Sequence, residues 1–162
     1  MKKFFIFMAM IIAAVVLTTA CNSDDNERTP QELANALTAF NWQGYNQYQY
    51  KEGGSWVDRN NDFVVMRFQR NGANAIAGTG VQLQFKHTDF TEFEEKSTFK
   101  WEIQGDRLYI NYDAAGWGRV SAINNDIEIH GDLCSGYWLT TDGDRRYRFN
   151  YRSTTFAGWN NF

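Results

Sequence analysis

Histidine is the side chain that most often transfers protons near neutral pH, and this chain has only His87 and His130. His130 alternates with Glu128 and Asp132, so these three side chains share one face of a predicted strand. Three polar groups on one face can converge on a ligand, but any solvated strand face carries the same alternation. No serine lies in a nucleophile elbow, and no His/Cys cluster has zinc spacing. We therefore predict no catalytic residues, no cofactor and a solvated face around His130.

The segment DRNND places oxygen ligands at Asp58, Asn60 and Asp62, the spacing of the first three ligands of a calcium loop. A calcium loop also needs Gly at its sixth position and Glu at its end. Here Phe63 occupies the sixth position, and no Glu closes the loop. We expect a polar turn rather than a calcium site, and we predict no metal site.

The elements that position these residues are strands, because the apolar residues recur with a period of two from residue 41 onward. In TFKWEIQ, for example, Phe99, Trp101 and Ile103 alternate with polar residues. This alternation is typical of an antiparallel sheet with one face on a core and one face in water. The predicted strands cover residues 41–50, 63–70, 81–86, 98–104, 107–112, 117–123, 126–133 and 146–152.

Hairpin turns separate many of these strands, as expected when neighbouring strands pair in sequence. Gly105–Asp106 is a two-residue type II′ pattern, and Asn71–Gly72, Asn124–Asp126 and Asp142–Asp144 mark further turns. Regular strand spacing of this kind predicts an up-and-down barrel or a sandwich. We expect the barrel, because closure of about eight strands removes exposed sheet edges.

One short helix precedes the strands. Leu33, Ala34 and Leu37 recur at helical spacing after Pro30, which suits the first helical turn. The predicted fold class is therefore all-β: an antiparallel up-and-down β-barrel of about eight strands with a short N-terminal helix. The aromatic content of 17% agrees with a β-rich fold.

The N-terminus carries a different pattern. Lys2 and Lys3 precede an apolar run from Phe4 to Ala20 that ends in small residues, the layout of a secretory signal peptide. A retained transmembrane helix is the alternative, but it needs about 20 apolar residues. No basic stop-transfer cluster follows, since the next charges are Asp24 and Asp25. We expect the segment to be cleaved.

Small residues at positions 18–20 followed by Cys21 resemble a bacterial lipobox, in which the cysteine is lipidated and becomes the mature N-terminus. The following Ser-Asp-Asp resembles the acidic export signal of Bacteroidetes surface lipoproteins. An ordinary signal peptide with a chance cysteine remains the alternative. The resemblance implies acyl chains such as palmitate on Cys21 and an outer-membrane location at the cell surface. The domains are then a signal peptide (residues 1–20), the lipidated cysteine with a polar tether (21–32) and the barrel (33–162).

The phrases FKWEIQGDRLYINY and WGRVSAINNDIEIHG resemble the lipocalin-like lipoproteins of Bacteroidetes, with Trp42 in the place of the tryptophan that opens the first strand. The resemblance covers roughly residues 37–152. It implies a lipocalin-like barrel and no single activity. The Gly-x-Trp signature of true lipocalins is absent.

Charge and cysteine content exclude two classes. The net charge is −3, and cleavage after Ala20 would remove Lys2 and Lys3 and make it −5, whereas a nucleic-acid-binding protein needs a basic surface. If Cys21 carries lipid, Cys134 has no partner, so the chain has no disulfide framework. We expect Cys134 to be a buried apolar residue rather than a reactive thiol.

Tryptophans in Gly-rich or turn-like contexts are the candidate binding residues, because exposed aromatic side chains mark ligand sites. We predict a ligand site at the barrel mouth formed by Trp56, Trp117, Trp138 and Tyr112. A barrel of eight strands can instead be filled by its own side chains. The leading hypothesis is a non-enzymatic lipoprotein that binds a small apolar or glycan ligand. The alternative is a protein-interaction subunit of an outer-membrane assembly with a filled barrel, and an unrecognised enzyme ranks last.

Overall fold

The structure is a computed structural model that describes residues 28–113 and 118–162. Within them the chain forms one α-helix, nine β-strands and 3-10 turns at Asn124–Asp126 and Gly158–Asn160. The elements are α1 (Pro30–Ala39), β1 (Asn41–Glu52), β2 (Ser55–Arg70), β3 (Ala77–Phe85), β4 (Phe93–Gln104), β5 (Arg107–Tyr112), β6 (Arg119–Ile123), β7 (Glu128–His130), β8 (Leu133–Thr140) and β9 (Arg145–Thr154).

Helix α1 begins at a complete capping box. The Thr29 hydroxyl accepts a hydrogen bond from the Glu32 backbone N–H at 3.2 Å, and the Thr29 N–H donates to the Glu32 carboxylate at 2.8 Å. These bonds satisfy amide groups that the first turn leaves without partners. The helix then buries its apolar stripe of Leu33, Ala34 and Leu37, which confirms the predicted helix. Its C-terminal end is tied to the barrel, since the Trp42 indole donates to the Leu37 carbonyl at 2.9 Å.

Eight antiparallel strands close into a barrel, which confirms the predicted fold class. Neighbours follow the order β6-β5-β4-β3-β2-β1-β9-β8, and β8 pairs with β6 to complete the ring. The closing contact is short, with only the pairs Val120↔Thr140 and Ser121↔Leu139. The remaining strand, β7, pairs with the first half of β8 and lies outside the ring.

The barrel interior is an aromatic and aliphatic core that α1 covers at one end. Alternate residues of each strand face inward, as the period-two pattern predicted for β4, β5 and β9. Each full burial of a large apolar side chain contributes about 1.5–3 kcal/mol, so this cluster dominates the stability of the fold. Its largest members include Trp42, Trp101, Phe99, Phe149 and Met66.

Two glycines on β3 make room for this core. A Cβ on Gly80 would lie 2.2 Å from the Phe99 ring, and one on Gly78 would lie 1.8 Å from the Gln69 carbonyl oxygen. The Trp101 indole passes close to the same strand and donates to the carbonyls of Gln69 at 3.1 Å and Thr79 at 3.0 Å. Only residues without a side chain let these aromatic rings pack so close to the backbone.

A second apolar cluster lies on the outer side of the barrel. Residues 155–162 cross the outer face of β2 and β3 and form what we call the C-terminal strap. Trp159, 9% exposed, lies there against Phe156, at 5.3 Å between ring centroids, and under the Arg67 guanidinium at 4.6 Å. The strap therefore supplies a cover for outward-facing apolar side chains of these two strands. The buried members of this cluster are Phe63, Val65, Leu83, Phe85 and Trp159.

Two sequence-based predictions about strands and turns are wrong. The predicted strand 126–133 is a hairpin, because Gly131 adopts a φ of 61° in the turn between β7 and β8. Leu133, expected to face inward, is 41% exposed. The DRNND segment is not a turn, since Asp58 and Asp62 both lie within the long strand β2. Strand pairing with β1 holds it extended through Asn46↔Asp62 and Gln49↔Asp58.

Candidate functional site

The structure brings together two of the four predicted ligand residues, Trp138 and Tyr112, in the half of the barrel interior far from α1. Trp138 was expected in a loop, and that expectation is wrong: it lies in β8, is 4% exposed and stacks on Phe149 at 4.6 Å between centroids. Tyr112 ends β5, is partly buried and donates from its hydroxyl to Gln82 Oε1 at 2.7 Å. Both aromatic side chains are therefore part of the packed interior.

A hydrogen-bonded chain runs through this interior half. Trp138 Nε1 donates to the Tyr151 hydroxyl at 3.2 Å, and the Tyr151 hydroxyl donates to Asn46 Oδ1. Burial raises the pKa of Tyr151 above its ordinary value and raises the pKa of Tyr112 well above it. These phenols stay neutral near physiological pH, so they act here as hydrogen-bond donors rather than as acids or bases.

Trp56 lies apart from these two residues, on the outer side of the barrel near the start of β2. Its loop assignment is also wrong, although the Gly53–Gly54 turn precedes it by only two residues. The Arg146 guanidinium lies over its ring at 4.2 Å and the Lys51 ammonium at 5.8 Å. Arg146 is also 4.3 Å from the Tyr137 ring, so it lies between two aromatic side chains.

Two predicted functional residues fall outside the described residues. Trp117 lies in the gap at residues 114–117, and Cys21 precedes residue 28. Their assignments as a ligand residue and as the lipidation site stay predictions. Within the described part of the chain, no helix is long and apolar enough to cross a membrane.

The candidate catalytic groups do not assemble into a reactive site. His87 lies in the bend after β3 and His130 is the last residue of β7, and both are exposed. Cys134 is buried, and loss of solvent raises the pKa of its thiol to about 12, which disfavours the reactive thiolate. Among the described residues, no group of three or more His, Cys, Asp or Glu side chains could hold a metal ion.

A cleft of about 660 Å³ lies on the outer side of the barrel, over β1, β9 and β8. We call it the outer cleft. Strand pairing builds its floor, since Gln47 on β1 lies opposite Arg148 on β9, and Arg148 lies opposite Tyr137 on β8. Arg148 Nη2 donates to Gln47 Oε1, which fixes both side chains. The cleft is lined chiefly by Tyr45, Gln47, Asp126, Glu128, Tyr137 and Arg148.

The lining of the outer cleft combines exposed rings with free hydrogen-bonding groups. Tyr45 is 47% exposed and Tyr137 is 37% exposed, although both belong to strands. The carboxylates of Asp126 and Glu128 make no hydrogen bond or ion pair with other described residues. Asn150, opposite Tyr45 on the neighbouring strand, also lines the cleft. Aromatic faces beside planar acceptors and amides suit a ligand that presents both C–H surfaces and hydroxyl groups.

Sequence reasoning missed this cleft because its residues come from distant parts of the chain. Tyr45, Asp126 and Tyr137 each look like unremarkable polar or aromatic positions, and only the strand register places them together. The one available signal was Tyr45 itself, an outward tyrosine beside Gly44 in the first strand. Comparison of the chain with protein-family models, with curated proteins and with solved structures found no match.

Proposed function

We propose that this protein is a non-enzymatic binding protein that holds a glycan in the outer cleft and is anchored to the outer membrane at the cell surface through lipid on Cys21. The observation that carries the binding proposal is the cleft of about 660 Å³ with two exposed tyrosines and two carboxylates that have no partner among the described residues. Its volume lies within the range of about 300–1,000 Å³ typical of ligand pockets.

The lining favours a glycan over an apolar ligand. Pockets for apolar ligands are mostly lined by aliphatic and aromatic side chains, with few polar groups. The outer cleft instead exposes acids, amides and an arginine beside its rings, and Arg148 is already oriented by Gln47. The barrel interior offers less support for the mouth site expected from the sequence, because Trp138 and Tyr112 are engaged with neighbouring side chains.

Glycan-array screening followed by calorimetry tests this proposal. Tyr137→Ala and Glu128→Gln should each weaken binding of an identified glycan by about tenfold or more, because each removes a ring contact or a charged acceptor. Phe40→Ala is the matched control, since Phe40 is 45% exposed but lies beside α1, away from the cleft. Unchanged affinity in both cleft variants would overturn the assignment of this site.

Support for the anchor comes from the order of basic, apolar and small residues before Cys21 and of acidic residues after it. Mass spectrometry of the membrane-extracted protein should find Cys21 as an acylated N-terminus. Several acyl chains are needed for firm attachment, because each buried CH₂ contributes about 0.8 kcal/mol. Recovery of an unmodified Cys21 would refute the anchor and the location together.

The second candidate function is a protein-interaction subunit of an outer-membrane assembly. It is favoured by the aromatic packing of the interior, where Trp42, Trp101 and Phe149 are each about 1% exposed. Cross-linking on intact cells should then recover a defined hetero-complex. Recovery of monomer alone would count against it.

A further inference from the structure

The seam where β6 meets β8 closes the barrel and carries a second cleft on the outer side. Only two residue pairs join these strands, whereas β1 and β2 pair over eleven. A cleft of about 490 Å³ lies over this junction, and we call it the seam cleft. Its lining comes from β5, β6, the end of β8 with the turn after it, and the start of β2. The residues that matter below are Arg107, Tyr109, Arg119 and Trp56.

The seam cleft is basic although the chain as a whole is acidic, with a net charge of −3. Arg107 and Arg119 line it, and no Asp or Glu does. The Arg107 side chain makes no hydrogen bond or ion pair with any described residue. Arg119 reaches Glu102 at 3.4 Å, but both side chains are about two-fifths exposed, so water weakens this pair. The Arg107 guanidinium therefore lines the cleft without a partner from residues 28–113 or 118–162.

An aromatic ring holds one of the two cations, Arg119, in place. The Arg119 guanidinium lies 4.0 Å from the centre of the Tyr109 ring, which belongs to the neighbouring strand. Trp56 is itself fixed by the Arg146 guanidinium over its ring at 4.2 Å. Stacked guanidinium groups stay charged and lose little freedom when they bind an anion, which favours bidentate contact with an oxyanion.

One carboxylate beside the cleft is paired within its own turn. Asp142, in the turn between β8 and β9, forms an ion pair with Arg145 at 2.7 Å and accepts from the Thr140 hydroxyl. It does not line the cleft. Asp142 is therefore paired with Arg145 rather than with Arg107 or Arg119, and Asp144, on the other side of Gly143, does not line the cleft either.

We propose that the seam cleft binds the oxyanion of a small ligand, a phosphate, sulfate or carboxylate group, between Arg107 and Arg119, with the rest of the ligand against Trp56. This site shares no lining residue with the outer cleft. It stands on its own observations and holds whether or not the outer cleft binds a glycan.

Calorimetry on the full chain with inorganic phosphate, sulfate and glucuronate, at constant ionic strength set with sodium chloride, tests the site. At least one of the three should bind saturably. Tighter binding of phosphate and sulfate, or of glucuronate, identifies whether the ligand group is a tetrahedral oxyanion or a carboxylate. Arg107→Gln and Arg119→Gln should each weaken binding about tenfold or more, since a hydrogen bond to a charged group contributes about 1.5–3 kcal/mol. The matched control is Arg152→Gln, an exposed arginine on β9 that lines neither cleft and should bind as the parent does.

The indole N–H resonance of Trp56, assigned by its loss in Trp56→Phe, should shift in the same titrations and reports where the anion binds. The Trp56→Ala variant should weaken glucuronate more than inorganic phosphate, because only glucuronate has a ring to place against the indole. No saturable binding of any probe, or equal loss in Arg152→Gln and Arg107→Gln, would overturn the proposal. Equal weakening of glucuronate and phosphate by Trp56→Ala would overturn the role given to Trp56.

Discussion

The Trp138 indole nitrogen and the Tyr151 hydroxyl form a hydrogen bond of 3.2 Å inside the barrel, where both side chains are almost fully buried. Tyr151 in turn donates to Asn46, which is 3% exposed. The Tyr151 hydroxyl is therefore the hydrogen-bond partner of two other buried groups, the Trp138 indole N–H and the Asn46 amide oxygen. A buried polar group without a partner costs about 1–3 kcal/mol.

Tyr151→Phe should therefore lower the free energy of unfolding by about 1–3 kcal/mol, because it leaves Trp138 and Asn46 without their shared partner. Urea unfolding followed by circular dichroism measures the change. Tyr137→Phe, which removes an exposed hydroxyl from the neighbouring strand, should change stability by no more than about 0.5 kcal/mol. Equal effects of the two variants would show that the buried chain of hydrogen bonds contributes nothing.

Alkaline pH should destabilise the protein. Burial raises the pKa of the Cys134 thiol from its ordinary value near 9 to about 12, and it raises the pKa of Tyr151 and Tyr112 above the ordinary phenol value. The folded state therefore holds protons that the unfolded state releases, and stability is lost as pH rises from about 9 toward 12. The urea midpoint, measured from about pH 7 upward, should stay level and then fall. A midpoint that rises across this range would contradict the assignment.

The Cys134 thiol should resist modification. It is 2% exposed and its pKa of about 12 leaves almost no thiolate near pH 8. In a chain carrying Cys21→Ser, a thiol reagent such as Ellman's reagent should react with Cys134 at the rate of unfolding and completely in denaturant. Fast stoichiometric labelling of the native chain would show that Cys134 is accessible.

Gly80→Ala should be strongly destabilising. Its Cβ would lie 2.2 Å from the Phe99 ring and 2.6 Å from the Arg67 carbonyl oxygen, and neither can move without disturbing the core. Overpacking of this kind costs about 1–3 kcal/mol or more. Gly72→Ala is the control, because nothing lies within 4 Å of the added methyl group. Thermal unfolding of both variants distinguishes crowding from a general effect of replacing glycine.

Trp159→Ala tests the C-terminal strap. Removal of this buried indole should lower the free energy of unfolding by about 3–5 kcal/mol, the usual cost of a large aromatic side chain. Leu133→Ala, at a position 41% exposed, should have little effect. Hydrogen exchange should show the loss of protection concentrated in β2 and β3 if the strap covers them as described. Uniform loss across the barrel would mean that the strap is integral to the whole fold.

The strands whose apolar and polar residues alternate without interruption were predictable from the sequence. The hairpin formed by β7 and β8 was not. Phe99, Trp101 and Ile103 face the interior as expected, because alternation decides which side of a strand is apolar. The pattern from Ile127 to Leu133 keeps its period through a tight turn, so it concealed the hairpin between β7 and β8. The chain reverses direction at Gly131, which has a positive φ. A glycine within an alternating pattern can equally mark a bulge or a bend inside one strand, so it does not by itself predict a turn.

The sites depend on contacts that no local pattern contains. Val81, Leu83 and Phe85 share one side, as predicted, but that side faces outward and is covered by the returning residues 155–162 and by Phe90. In the same way, the outer cleft requires the pairing of β1, β8 and β9. Sequence reasoning identified Trp56 as a site residue, yet the arginine that lies over its ring belongs to β9, ninety positions further along the chain.

Strand β7 is only three residues long, and its length affects the tendency of the protein to aggregate. One side of it pairs with β8, and its other side is an open edge of the sheet. Open edges recruit strands from other molecules and so initiate aggregation, but very short edges that carry ionisable side chains do so poorly. Glu128 and His130 occupy two of the three positions. Lengthening this edge with apolar residues should make the barrel assemble edge to edge with other copies.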